Sequence, residues 1–258
     1  DNVDIAYTSD DSESTNLRGA ENVVINLSKE LFKLGNKITV FNNNYKNSII
    51  NGIYWTNLEN IDQNITFDLA ITNNDLNLFK KVKSKKYLAI SHSIQSIEKF
   101  IRKGQLLSYL KYKPKIILLC DYHSKNRNKL LKIFGSIKIE WAVDEIFLSS
   151  EINDNLVENR AIFTSRNDRN LDILINIWKN QIFLKNNSSK LYVTPSPLID
   201  NNFNIFERNF GSRDLLINDL KKSKVFLIPG HKGEVFCLAA EEARELCIPI
   251  VTLGIGSL

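Results

Sequence analysis

Methionine is absent from all 258 residues, an unusual lack at this length. Cysteine is scarce: Cys120, Cys237 and Cys247 stand alone, with no metal-ligand spacing among them. Packed, reduced thiols of a cytoplasmic protein are the expected state. No apolar run approaches the length that crosses a bilayer; Lys115–Cys120 and Val225–Ile228 are strand-sized. The N-terminus lacks the basic, apolar and small-residue succession of a signal peptide, although a chain that opens at Asp1 is compatible with a leader already removed. No large charge excess exists either. A net charge of +5 suits anionic ligands or an anionic membrane surface. Without a basic stripe of interleaved aromatics it gives no support to nucleic-acid binding.

What is present is a rhythm of short apolar strands and amphipathic helices. At 43% hydrophobic and 24% charged the chain has the composition of a globular protein of one large or two ordinary domains. Strands are expected at Val3–Tyr7, Lys37–Phe41, Asp68–Thr72, Lys86–Ile90 and Lys115–Cys120. Glu21–Leu34 should be a helix, with Val24, Leu27, Leu31 and Leu34 at helical spacing and Gly35 as C-cap. The pattern then restarts, with strands at Arg160–Thr164, Lys190–Thr194 and Lys224–Ile228 and helices at Leu171–Phe183 and Arg213–Lys222. Such alternation specifies parallel sheets covered on both faces. The expected domains are 1–155 and 156–258, divided in the polar stretch Ser150–Glu158. The second series stops just after a strand, without closing helices, so further C-terminal sequence is expected. The chain is also rich in asparagine, as in Asn42-Asn43-Asn44, which is read as background bias and discounted as a turn signal.

Open parallel sheets bind ligands at the carboxyl ends of their strands. Four loops there carry chemistry. Arg18-Gly19-Ala20-Glu21 precedes a helix; Gly19 would let the backbone approach an anion, or the segment is an ordinary loop. Ser91-His92-Ser93 follows a strand; His92 would move a proton or position a hydroxyl, or is a structural histidine. Arg166 and Arg169 start a helix; their guanidinium forks suit a diphosphate, or form a surface pair with Asp168. The fourth loop, Gly230 to Cys237, enters a helix expected to begin near Val235–Leu238. Its free N–H groups, from Val235, Phe236, Cys237 and Leu238, would hold phosphate or sugar oxygens. Glu242, about one turn in, would take two hydrogen bonds from a ribose diol, and Glu234 would reach a sugar hydroxyl. The plainer alternative is a solvated acidic helix.

These segments, in this order, resemble the GT-B glycosyltransferases, in particular the retaining group called family 4. Glu234 and Glu242 match its E-x7-E motif. Phe236-Cys237-Leu238 is similar to its Phe-Gly-Leu, and Ile248-Pro249-Ile250-Val251 to its Gly-Pro-Val-Val strand. Arg18-Gly19-Ala20-Glu21 resembles its N-terminal glycine loop, Gly35-Asn36-Lys37-Ile38-Thr39-Val40 its Gly-His-x-Val-Thr-Val, and Ala142-Val143-Asp144 through Phe147 its Gly-Val-Asp-x-x-x-Phe. Arg166 with Arg169-Asn170-Leu171-Asp172 is similar to its Gly-Arg…Lys-Gly-x-Asp. Cys237, Cys247 and Asn170 depart from the usual glycines, and Arg169 from the usual lysine.

The resemblance implies an α/β fold of two Rossmann-like, doubly wound domains facing a cleft. It implies a retaining transferase of polysaccharide biosynthesis, cytoplasmic or peripheral at the inner face of the membrane. The donor would be a nucleotide sugar, UDP- or GDP-linked, and the acceptor a glycan, lipid or small molecule. Arg166 and Arg169 would hold the diphosphate, Glu242 the ribose and Glu234 the donor sugar. Gly19 would lie near the phosphate and His92 near the reacting centre. No cofactor and no metal are implied, because cationic side chains and a helix N-terminus stabilise the departing diphosphate. The alternatives are a sugar-nucleotide epimerase of the same fold and a non-catalytic sugar-nucleotide-binding protein.

Overall fold

The computed structural model describes residues 1, 6–13, 17, 19–44, 46–150, 158–209 and 211–258. These fall into two compact units, Asp1–Glu140 and Trp141–Leu258. Residues 3–5 of the expected first strand, Arg18, and 151–157 of the expected domain boundary lie outside the described residues.

In the first unit, α1 (Gly19–Lys33) is the longest helix. Gly35 closes it: Gly35 N–H donates to Phe32 O at 2.8 Å and Asn36 N–H to Leu31 O at 3.3 Å, the paired bonds of a Schellman motif. The buried stripe runs through Glu21, Ile25 and Ser28, whereas Leu34 is 77% exposed. Leu34 lies past the last helical residue, so helical spacing no longer sets its direction. Two sheets follow. The first contains β1 (Thr39–Asn42), β2 (Ser48–Ile50) and β3 (Ile53–Asn57) in the order β1-β3-β2. The β2–β3 hairpin was not expected. Its turn is Asn51-Gly52 with φ of 52° and 77°, the left-handed pair that a two-residue primed turn requires. Here asparagine was a genuine turn signal despite its abundance.

The second sheet is wholly parallel, in the order β4-β5-β6-β7. It contains β4 (Thr66–Asn73), β5 (Lys83–Ile90), β6 (Lys115–Leu118) and β7 (Ser136–Lys138). Between β5 and β6 lie α2 (Ile97–Arg102), capped by Ser96, and α3 (Leu106–Tyr112). After β6 comes α4 (Asp121–Asn126), with Cys120 at its N-cap rather than in the strand. Phe79, Phe100, Tyr109 and Ile116 form the core beside this sheet.

The second unit begins with the short helix α5 (Glu145–Leu148), whose Phe147 is part of that unit's core. This is why the division falls earlier in the chain than 155/156. One parallel sheet follows, ordered β10-β9-β8-β11-β12. Its strands are β8 (Glu158–Phe163), β9 (Lys190–Val193), β10 (Ile205–Glu207), β11 (Ser223–Gly230) and β12 (Ile250–Ile255). The helix expected at Leu171–Phe183 is α6 (Leu171–Ile177), then a π-helical turn at Trp178–Ile182 and α7 (Phe183–Lys185). The remaining helices are α8 (Arg213–Lys221) and α9 (Leu238–Glu245). Ile162, Phe163, Leu171, Trp178, Leu191 and Phe226 fill the core; each such buried side chain contributes roughly 1.5–3 kcal/mol. No helix among the described residues is long and apolar enough to cross a membrane.

Candidate functional site

Strands β8 and β11 are neighbours in the sheet, so the loops leaving their carboxyl ends lie side by side. This brings residues 165–170 against residues 230–237, about sixty positions later. Asn170 Nδ2 donates to Gly230 O at 2.6 Å. Asn170 caps α6 in the left-handed region, with φ 61°. Among side-chain-bearing residues, asparagine tolerates that conformation best, so it serves where the resemblance has glycine. Gly230 itself has φ 85°, and a Cβ there would lie 2.4 Å from Ile255 O; only glycine lets this loop pass the end of β12.

Arg169 reaches across the two loops. One guanidinium N–H meets His231 Nδ1 at 3.2 Å, and Nε lies 3.9 Å from Glu234 Oε1. Gly233 N–H also donates to His231 Nδ1, at 3.0 Å. With two donors aimed at Nδ1, the ring proton belongs on Nε2, which makes that atom a donor. Glu234 is 7% exposed, and its Oε2 has no hydrogen-bond partner. Burial raises its pKa, with Arg169 pulling the other way. The Cys237 thiol bonds Glu234, and burial followed by the nearby Glu234 charge pushes it up to about 12, so it remains a neutral donor. Cys237 is also the N-cap of α9 and makes no side-chain cap bond, leaving Leu238 and its neighbours at an uncapped helix start. Val235 is buried, and Phe236 packs its ring against Trp141 with centroids 5.7 Å apart.

Arg166 behaves differently from Arg169. It is exposed and pairs with Asp168 at 2.9 Å, the surface pair that was the plainer expectation. Asn167 Nδ2 to Pro195 O, and Thr194 Oγ1 to Ser165 O, fix its loop to the end of β9.

Glu242 lies one turn into α9, partly buried. Burial pushes its carboxyl up to about 7, against the pull of Arg213 and Arg208. Arg208, 5% exposed at the end of β10, has Nε 3.5 Å from Asp219 Oδ2. Arg213, at the start of α8, pairs with Asp144, whose other oxygen caps α5 by accepting from Ile146 N–H. His231, Arg208 and Arg213 were not anticipated. His231 stood in the glutamate loop without a recognised partner. Arg208 follows a three-residue strand too short to show alternation.

In the first unit, Gly19 is the first residue of α1 rather than part of a preceding loop. His92 follows β5; its ring meets Asn73 Oδ1, and its N–H donates to Asn74 Oδ1 at 3.0 Å. Burial, with His123 adding repulsion, lowers the His92 pKa to about 4, so the ring is neutral at pH 7. The three cysteines are free; Cys247 is exposed, not packed as expected, and adopts φ 55°. Among the described residues no group of three or more His, Cys, Asp or Glu is arranged to hold a metal ion.

No model of a known protein family matches the chain, and no curated protein matches its sequence. Solved structures do match its fold. A glycosyltransferase from Rickettsia africae ESF-5 superposes with a TM-score of 0.65 at 14% identity, over 94% of this chain and 78% of that one. Sucrose-phosphate synthase from Thermosynechococcus elongatus gives 0.63 at 11% identity, over 96% and 80%. TarM from S. aureus, in complex with UDP, fondaparinux and alpha-GlcNAc-glycerol, gives 0.52 at 13%, over 72% and 41%. At these identities the likeness is one of fold: the chain has the GT-B architecture expected from its motifs.

Proposed function

We propose that this GT-B chain is a glycosyltransferase of the retaining type, moving a sugar from a nucleoside diphosphate donor to a glycan, lipid or small-molecule acceptor. The observation that carries the reading is the convergence of Arg169, His231 and Glu234 beside the uncapped start of α9. Arg169 and the His231 Nε2–H face the departing diphosphate, and Arg166 joins them on exchanging Asp168 for phosphate. Glu234, with an oxygen still unpartnered, accepts from a donor-sugar hydroxyl. Glu242 accepts from the ribose diol. The second unit thus holds the donor, and the first, with His92, serves the acceptor.

In the reaction, the bond from the anomeric carbon to the diphosphate oxygen breaks. The acceptor oxygen bonds that carbon on the same face, and its proton passes to the departing phosphate oxygen. The developing negative charge is offset by Arg169, Arg166 and the helix N–H groups, so neither a metal nor a resident cofactor is required. UDP or GDP is the expected leaving group; the UDP-bound TarM structure is in keeping with this. Calorimetric titration with UDP, GDP, ADP and their sugars tests the reading. One nucleoside diphosphate should bind well below millimolar and lose affinity in Arg169→Ala. No binding by any of the three would reject it.

A further inference from the structure

The first unit holds an open pocket of about 370 Å3 at the carboxyl end of β4, bordered by Asn73, Asp75 and Asn77. Asn74, Lys103 and Gln105 line both this pocket and a narrower recess of about 30 Å3, roughly two water molecules in size. Ser93, Gln95 and Lys99 complete the recess.

Its polar groups are unbalanced. Lys99 is half-buried and donates to the Ser93 hydroxyl, and among the described residues no carboxylate pairs with it. Burial, followed by repulsion from Lys103 and Arg102, holds its ammonium below the ordinary value. Gln95 is 4% exposed, and its Oε1 has no hydrogen-bond partner. Across the pocket Gln105 Nε2 donates to Asp75 Oδ1 at 3.1 Å, which fixes that carboxylate away from the lysines' end. The surroundings share the imbalance. Residues 99–138 contain eleven Lys and Arg and a single acid, Asp121, whereas the rest of the chain has 23 basic and 28 acidic residues. A half-buried cation without a counter-charge costs free energy that a bound anion recovers, and the surrounding field concentrates anions there.

We propose that this pocket binds a phosphate ester of a polyhydroxylated compound. Lys99, Lys103 and Ser93 hold the phosphate, and Gln95, Asn73 and Asp75 the hydroxyls. Calling this compound the acceptor rests on the glycosyl-transfer reading; its binding does not. The ester has two possible sources, a soluble sugar phosphate or a phospholipid headgroup.

Two arms separate these sources. The full chain is titrated by calorimetry with glucose 6-phosphate and with glucose, and sedimented with vesicles of phosphatidylglycerol and of phosphatidylcholine. A ten-fold or greater preference for the sugar phosphate, or sedimentation with phosphatidylglycerol alone, is expected. Lys99→Ala and Lys103→Ala should each reduce the preferred binding about ten-fold or more. No preference in either arm, or a preference that survives both substitutions, overturns the proposal. Lys103 is exposed, so if Lys99→Ala fails to fold, Lys103→Glu decides alone: a lost preference supports the site and a retained one removes it. UDP titrated into the same samples keeps the two ideas distinct. Intact UDP binding without an anion preference rejects only the pocket, and absent UDP binding rejects the transferase reading.

Discussion

Replacing Glu242 by glutamine should stabilise the protein at pH 8 while weakening its hold on a nucleotide. Glutamine keeps the size of the side chain but does not titrate. The Glu242 carboxyl is raised from 4.5 to about 7 by burial. Below pH 4.5 it is protonated in both folded and unfolded chains. Between 4.5 and 7 the unfolded chain releases this proton and the folded chain keeps it, so stability falls as pH rises, by about 1.4 kcal/mol per unit. Above 7 the loss is complete, at about 3 kcal/mol; depriving Arg208 and Arg213 of their carboxylate reduces the net gain of the variant to about 2 kcal/mol. Urea unfolding of both proteins from pH 4 to pH 8 isolates this one group, because every other titration is common to the two. The curves should agree near pH 4 and diverge toward pH 7. Parallel curves would refute the reasoning. Binding should show the opposite sign. Only the ionised carboxylate accepts both ribose hydrogen bonds, so wild-type UDP affinity should rise from pH 6 to pH 8. The variant should stay flat and bind about ten- to hundred-fold more weakly at pH 8.

Arg169→Ala and Arg166→Ala should each weaken UDP about ten-fold or more and leave uridine nearly unchanged, with Arg169 the larger because it is already turned toward Glu234; equal losses for nucleotide and nucleoside would argue against diphosphate contact. Asn170→Ala should cost about 2 kcal/mol, from an unfavourable left-handed backbone and the lost bond to Gly230 O, and Asn170→Gly less than half that, as read from urea midpoints. Cys247→Gly should stabilise by about 0.5–1 kcal/mol by relieving the strained φ of 55°; a lower midpoint would show that the strain is absent or otherwise compensated.

Those two positions show why sequence reading goes only part of the way. The α/β rhythm, nearly every strand of the second unit, and the position of Glu234 just before α9 are local properties of apolar spacing and loop composition, and they were legible. That Asn170 and Cys247 take left-handed backbone is imposed by the tertiary course of their loops; the residue types alone do not announce it. The Asn51-Gly52 turn was legible and was discounted because asparagine is common here. The partnership of Arg169 with His231 depends on β8 and β11 being adjacent, a matter of strand order that spacing does not encode. Arg208 and Arg213 were missed for the same reason: they meet Glu242 from elements distant in sequence, and a neutral appearance of α9 as a solvated acidic helix gave no hint that burial raises one of its carboxyls to about 7.

The central claim is that the two glutamates and their arginines belong to a donor site for sugar transfer. Incubating the chain with an anomerically labelled nucleotide sugar, with and without acceptor, and following the label by NMR tests it most directly. The account predicts label in the acceptor, with the donor's anomeric configuration retained, and loss of that signal in Glu234→Gln. Label returning as an isomer of the donor without any acceptor, or a product of inverted configuration, would contradict it.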